Sequence, residues 1–323
     1  MRTVLCPLCE ADQPRSVNHR QVRGLAVTTV LCLRCGLVYH NPVLEDEDRQ
    51  GCEVSFQRWH TEAAPTPRHL RKLEQRWQRQ WSLIRRVFQP GSRVLEVGSG
   101  LGFMGGRLQG WGAQVLGVEP DPGQAAYARS HWGLTILADR FEAVDLGGQT
   151  FDLIVSSHVI EHFPEPLAFL QKVRTLAGPE TWLFLETPNI LAPKVGPRRV
   201  FSLAHNFYFA PQTLSPLLQK AGWQIEHLRV WRRDSFQVLA RPCPPHTPIV
   251  NPDTAQIMLT AIRRHRYAYY LKLLFLWRKL PWWQKYWMYT PDPGWGGKEG
   301  EVGGGGQGPT APAPSPKPPP PTP

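Results

Sequence analysis

No run of 18 apolar residues occurs anywhere in the 323-residue chain, which argues against a simple transmembrane helix. The opening residues, MRTVLCPLCE, lack the apolar core of a secretory signal. The expected location is therefore the cytoplasm, where thiols stay reduced. Six cysteines in that setting read as metal ligands or plain thiols rather than disulfides. Acid is scarce, with 26 Asp and Glu against 37 Lys and Arg and a formal charge of +11. The surplus is local. Residues 58–86 carry eight Arg and Lys against Glu62 and Glu74, and residues 254–291 carry seven with no acid. The remainder is close to neutral, so the middle of the chain is not the uniformly basic surface expected of a nucleic-acid fold.

The chain divides into a cysteine-bearing module at 1–42, an irregular linker at 43–67, alternating helices and strands at 68–245, and a basic Trp-rich segment at 246–290. A tail at 291–323 contains GGGG and PPPP and is expected to be disordered. Leu70, Leu73, Trp77, Trp81, Ile84 and Phe88 recur at spacings of three and four, which predicts a helix over 68–90 that stops at Pro90-Gly91. Short apolar runs at 93–97, 114–118, 134–137, 151–156 and 181–186 alternate with helix-like stretches at 103–111, 121–132 and 165–177. That order predicts an α/β fold, a mostly parallel sheet with helices on both faces. Two further runs, 223–231 and 235–241, read as an antiparallel hairpin that brings the sheet to seven strands.

The first strand passes straight into Gly98-Ser99-Gly100-Leu101-Gly102. The spacing is G-x-G-x-G, and the dinucleotide fingerprint G-x-G-x-x-G fails at Phe103. Glu96 lies inside the strand, where an acid repels a pyrophosphate and suits a cationic ligand. S-adenosylmethionine, with its sulfonium and α-ammonium, is such a ligand. Glu119 ends the next strand about twenty residues on, where a carboxylate can accept ribose hydroxyls.

Six segments in this order, VLEVGSGLG (94–102), VEPD (118–121), ADRFE (138–142), FDLIVSSHVIEHFPEP (151–166), LFLETPN (183–189) and HNFYFAPQTLSPLLQKAGW (205–223), resemble the class I S-adenosylmethionine-dependent methyltransferases of the broad type 11 and 23 group. The resemblance implies a Rossmann-like domain. It also implies a cofactor pocket of Glu96, Gly98, Ser99, Gly100, Gly102, Glu119, Pro120, Asp139, Arg140, Phe141 and Ser156, with Asp139 toward the adenine amino group and Phe141 against the ring. Methyl transfer depends on alignment and a competent nucleophile, and a histidine base serves a hydroxyl or carbon acceptor near neutral pH. His158 is the first candidate base and His162 the second; structural bracing is the other role open to both. His205 is the candidate for the acceptor pocket. No Asn/Asp-Pro-Pro-aromatic motif follows the fourth strand, which lowers the reading as an amino methyltransferase of nucleic acid.

Cys6-x-x-Cys9 and Cys32-x-x-Cys35-Gly36 make two knuckles, and four thiolates form a closed tetrahedral site for structural Zn2+. The module resembles the zinc ribbons that precede some bacterial sugar and small-molecule methyltransferases. Cys52 and Cys243 have no partner spacing. The segment 261–289 mixes Arg and Lys with Tyr, Trp and Leu, which suits a docked helix, an anionic membrane surface or RNA. Three functions stand at this point: methyl transfer to oxygen or carbon of a small molecule such as a sugar or lipid-linked intermediate, methylation of RNA, or S-adenosylmethionine binding without catalysis.

Overall fold

The apolar runs assemble into one seven-stranded sheet and a smaller four-stranded one in the computed structural model, which describes residues 1–22, 24–45, 48, 65–193, 195–231 and 235–279. Cys52, most of the linker, the hairpin turn at 232–234 and everything after 279, including the Gly/Pro tail, lie outside the described residues.

The large sheet has five parallel strands, β4 (Arg93–Val97), β5 (Gln114–Val118), β6 (Thr135–Leu137), β7 (Phe151–Ser157) and β8 (Ala177–Pro188). Its order is β10-β11-β8-β7-β4-β5-β6, with β10 (Trp223–Val230) and β11 (Ser235–Pro242) as the antiparallel edge. The expected hairpin and seven strands are present. From β4 the chain steps outward through β5 to β6, then returns to place β7 and β8 on the other side. That reversal puts a topological switch point at the carboxyl end of β4, where ligands of open α/β sheets bind.

Helices α1 (Pro67–Ile84), α2 (Phe103–Gly110), α3 (Pro122–Trp132), α4 (Pro166–Thr175) and α6 (Pro211–Lys220) cover the sheet, and α5 (Pro197–Val200) is a single turn. Local chemistry sets several starts. Thr66 caps α1 by accepting from the His69 N–H at 3.2 Å, Asp121 caps α3 by accepting from Gln124 at 2.7 Å, and both helices have proline in the first turn. Helix α1 stops at Ile84, short of the predicted 90. The N–H groups of Arg86 and Val87 turn back to Leu83 and Ile84 three residues earlier, which tightens the last turn while Phe88 still packs on Trp81.

The cysteine-bearing module forms β1 (Pro14–Val22), β2 (Leu25–Cys32) and β3 (Val38–His40). Its fourth strand, β9 (Phe207–Tyr208), comes from the segment between β8 and α6. Register pairs Val38 with Tyr208 and Tyr39 with Phe207. Val43 and Leu44, at the start of the linker, are fully buried. One apolar cluster runs from Cys6, Leu8 and Tyr39 through Phe207 and Phe209 to Leu95, Ile154 and Trp223. The module and the large sheet thus share a core. A final helix, α7 (Thr254–Lys279), buries Ala255, Met258 and Leu259 against Leu31, Val38, Phe201 and Tyr208.

Candidate active site

The turn after β4 is built on left-handed backbone, with φ of 73° at Gly98, 54° at Gly100 and 70° at Gly102. Two of these glycines are also steric necessities. A Cβ at Gly98 would lie 2.3 Å from a Val159 methyl, and one at Gly102 would lie 2.7 Å from Cβ of Ala128. The turn hangs on β5: Gly98 and Ser99 donate to the Val118 carbonyl at 2.8 and 3.1 Å. Ser99 Oγ donates to the Glu96 carbonyl at 3.1 Å.

Glu96 and Glu119 are both buried and both hold backbone. Glu96 Oε2 accepts from the Gly105 N–H at 3.0 Å. Gly102 opens α2 without a side-chain cap, so Glu96 satisfies a first-turn donor from the neighbouring strand. Burial pushes its carboxyl up to about 8. Glu119 Oε2 accepts from Gly100 at 2.7 Å and Oε1 from Asp121 at 3.0 Å, which fixes its carboxylate at the end of β5 beside the glycine turn. Pro120 is exposed next to it.

The loop after β6 departs from expectation in part. Asp139 is exposed and accepts from the Arg140 N–H at 2.7 Å, while Arg140 is exposed and pairs with Glu142 at 3.3 Å. Phe141 is only 3% exposed. Phe169 packs edge-on at 5.6 Å and Lys172 Nζ lies 5.0 Å from the ring centre, so the ring is taken up by packing rather than offering an open face.

Strand β7 lies beside β4, with Ser156 in register with Val97. The Ser156 hydroxyl is buried and has no hydrogen-bond partner among the described residues, an orphan at the edge of the switch point. His158 follows in the left-handed region at φ 58°, uncommon for a residue other than glycine. Its Nδ1 lies 3.6 Å from Glu161 Oε1. A short 3₁₀ turn over Ile160–His162 carries the next pair. Glu161 is fully buried, and Oε2 accepts from Thr187 at 3.0 Å. Burial pushes its carboxyl up to about 8. His162 Nδ1 donates to the Ala204 carbonyl at 2.7 Å, which places the proton on Nδ1 and leaves Nε2, 4.0 Å from Glu161 Oε1, as the basic nitrogen. The His205 ring stands edge-to-face on His162 with centroids 4.8 Å apart. Ligand atoms of Glu161, His162 and His205 all fall within 4.8 Å of one another. The structure thus brings His158, His162 and His205 together around one carboxyl.

A second polar network was missed by sequence reasoning. Glu186, at the end of β8, accepts from Gln80 at 2.7 Å, Ser157 at 3.1 Å and Ser235 at 2.8 Å. Gln80 sits on the buried face of α1 with Trp77 and Ile84, and a polar residue on an apolar stripe was the available signal. Asn206 was read only as part of a motif, and nothing local marks it.

At the module, Cys6 and Cys35 Sγ lie 3.4 Å apart and Cys9 and Cys32 Sγ 3.5 Å, with all four sulfurs within 4.8 Å of one another. A tetrahedral ion with bonds of about 2.3 Å needs sulfurs about 3.8 Å apart, so the set fits zinc. Cys243 is a half-buried free thiol outside this cluster.

The methyltransferase domain family matches residues 69–228. The chain is 36% identical over 110 residues to the ubiquinone biosynthesis O-methyltransferase of Xanthomonas campestris, covering 32% of this chain and 46% of that protein. It is 25% identical over 194 residues to the protein of the same name in Thiobacillus denitrificans, covering 54% and 82%. It spans about half the length of the first curated relatives it matches. Among solved structures it is similar to an S-adenosylmethionine-dependent methyltransferase from Mesorhizobium loti, with 20% identity, a TM-score of 0.44, and coverage of 50% of this chain and 97% of that one. With the strand order, the switch point and the glycine turn in place, residues 69–228 belong to the class I S-adenosylmethionine-dependent methyltransferases, preceded by a four-cysteine module that fits a zinc ribbon.

Proposed function

We propose that the protein transfers a methyl group to an oxygen or carbon atom of a small-molecule acceptor. The observation that carries this is the meeting, at one switch point, of the glycine turn held by Glu119 with the histidines that follow β7. The curated relatives, named as O-methyltransferases, favour oxygen. When bound, S-adenosylmethionine supplies an electrophilic methyl on a sulfonium. In this reading Gly98, Gly100 and Gly102 allow the backbone to lie against it, Glu119 takes the ribose hydroxyls, and Asp139 meets the adenine edge. In this reading the buried Ser156 hydroxyl, in register with Val97 at the end of β4, belongs to the same pocket. His158 takes the acceptor proton, backed by Glu161; His162, with its tautomer set by Ala204, is the second candidate. His205 lines the acceptor side.

Calorimetry with S-adenosylmethionine and S-adenosylhomocysteine tests the pocket. Binding by the wild type is expected, with loss in Gly100→Val while one zinc per chain is retained; absence of wild-type binding refutes the reading. With a panel of small hydroxylated acceptors, replacing the base (His158→Asn or His162→Gln) is expected to lower turnover by about a hundredfold, with affinity for S-adenosylhomocysteine preserved.

We also infer that α7 brings the enzyme to an anionic membrane surface. Tyr267, Tyr270, Leu271 and Leu274 are exposed at the i, i+3, i+4, i+7 spacing of one helix face, and Arg263, Arg264 and Arg266 lie exposed just before them. Among the described residues no helix is long and apolar enough to cross a membrane.

A further inference from the structure

The four-cysteine ribbon has more to do with the histidine cluster than its place in the sequence suggests. Strand β3 begins three residues after Cys35 and ends on His40. On its far edge it holds the segment that carries His205. The His40 N–H donates to the Asn206 carbonyl at 2.8 Å, and His40 Nε2 donates to the Ser202 carbonyl at 3.2 Å. The Tyr208 hydroxyl donates to that same carbonyl at 2.7 Å. His40 is itself buried, with Nδ1 3.2 Å from the Thr29 hydroxyl on β2.

Asn206 is the centre of this junction. It is fully buried, and its polar atoms divide between two directions. Toward the ribbon end, Oδ1 accepts from the Leu44 N–H at 3.2 Å and Nδ2 donates to the Leu44 carbonyl at 3.1 Å. Toward the site, its N–H donates to the Glu161 carbonyl at 2.8 Å and Nδ2 donates to the His162 carbonyl at 3.1 Å. His205 is its neighbour in the chain, and His162 reaches across to Ala204. The glycine turn, by contrast, hangs on β5 and takes no bond from the ribbon among the described residues.

We propose that Asn206 is a positioning residue which, with His40, makes the metal-bearing ribbon the support of the acceptor half of the site. Residues 202–208 and the His162–His205 pair then keep their geometry only while the ribbon is folded. The four thiolates close the ribbon at the root of β3, so their occupancy governs the acceptor half that β3 holds and leaves the cofactor half, hung on β5, standing. The word acceptor rests on the function proposed above. The coupling itself does not, because it is read without turnover.

The test uses the full chain, zinc-loaded and zinc-stripped, alongside zinc-loaded Asn206→Ala and Asn206→Asp. Hydrogen exchange, the ring-proton NMR shifts of His162 and His205, zinc content and calorimetric affinity for S-adenosylhomocysteine are read in each. In stripped wild type the amides of 202–208 are expected to exchange at least about tenfold faster and both histidine rings to shift, while affinity stays within about threefold. Asn206→Ala is expected to show the same changes with its zinc in place. Asn206→Asp, which keeps the acceptor for Leu44, should fall between it and wild type. Unchanged exchange and ring shifts on zinc loss would overturn the proposal. So would loss of S-adenosylhomocysteine affinity in step with zinc, which makes the ribbon a prop for the whole fold. Failure of the zinc-loaded wild type to bind S-adenosylhomocysteine counts against the proposed function instead.

Discussion

Glu96 combines a capping role with an unusual proton affinity. Its carboxyl replaces the missing cap of α2 by accepting from Gly105, and burial raises it from the ordinary value near 4.5 to about 8. A carboxyl raised on folding binds its proton more tightly in the folded state. Its stabilising contribution is therefore full below the ordinary value and is lost as pH rises toward about 8. Glu161 carries the same sign. Glu96→Gln preserves the acceptor for Gly105 and cannot ionise. Thermal melts of the zinc-loaded variant should consequently show a smaller fall in midpoint between about pH 5 and about pH 8 than wild type shows. A parallel pair of curves would mean that Glu96 is ionised throughout. At this scale legibility follows sequence distance. The glycines, Glu119 and the four cysteines announce themselves through spacing. Gln80 and Asn206 do not, because their partners stand 106 and 162 residues away.

Among elements, the long alternation was readable and the short pieces were not. Strands β4 and β5 were read with the bounds they have, since a β-branched run between turn residues leaves little choice. Strand β9 has two residues, too few for any periodicity, and exists because β3 offers it an edge. Helix α7 shows both behaviours at once. Its first turns bury Met258 and Leu259, as a docked helix does, and its later turns expose Tyr267 at 69% and Leu271 at 65%. The exposed stripe predicts flotation with vesicles containing anionic lipid, declining as salt rises. Substituting Leu271→Ser and Leu274→Ser together with Arg263→Glu and Arg264→Glu should abolish flotation without moving the thermal midpoint by more than a few degrees, because all four side chains are exposed. Equal flotation of the variant would refute the membrane role.

For the molecule as a whole, the shared core decides how it comes apart. Cys6, Tyr39, Phe207 and Trp223 lie in one apolar cluster, and Lys220 of α6 pairs with Glu10 of the ribbon at 2.6 Å. Calorimetric melting of the zinc-loaded chain should therefore give one transition. Stripping the metal should split off a smaller, earlier one for the ribbon and its neighbours; a single transition in both states would show that the two parts never separate. Composition pointed to a cysteine module set before a larger domain. It had no means to show that they are completed by each other's residues, since that depends on contacts far apart in the chain.

The two residues of β9 also impose an order on synthesis. The ribbon leaves the ribosome well before β9, so its sheet stays open at one edge until Phe207 and Tyr208 arrive; the Tyr208 hydroxyl and the His40 ring lie 168 positions apart. At ribosomal speeds of about 5–20 residues per second, that is a wait of roughly 8–34 seconds. During it the nascent thiols, if they have taken up metal, hold a half-built structure with an unpaired strand facing solvent.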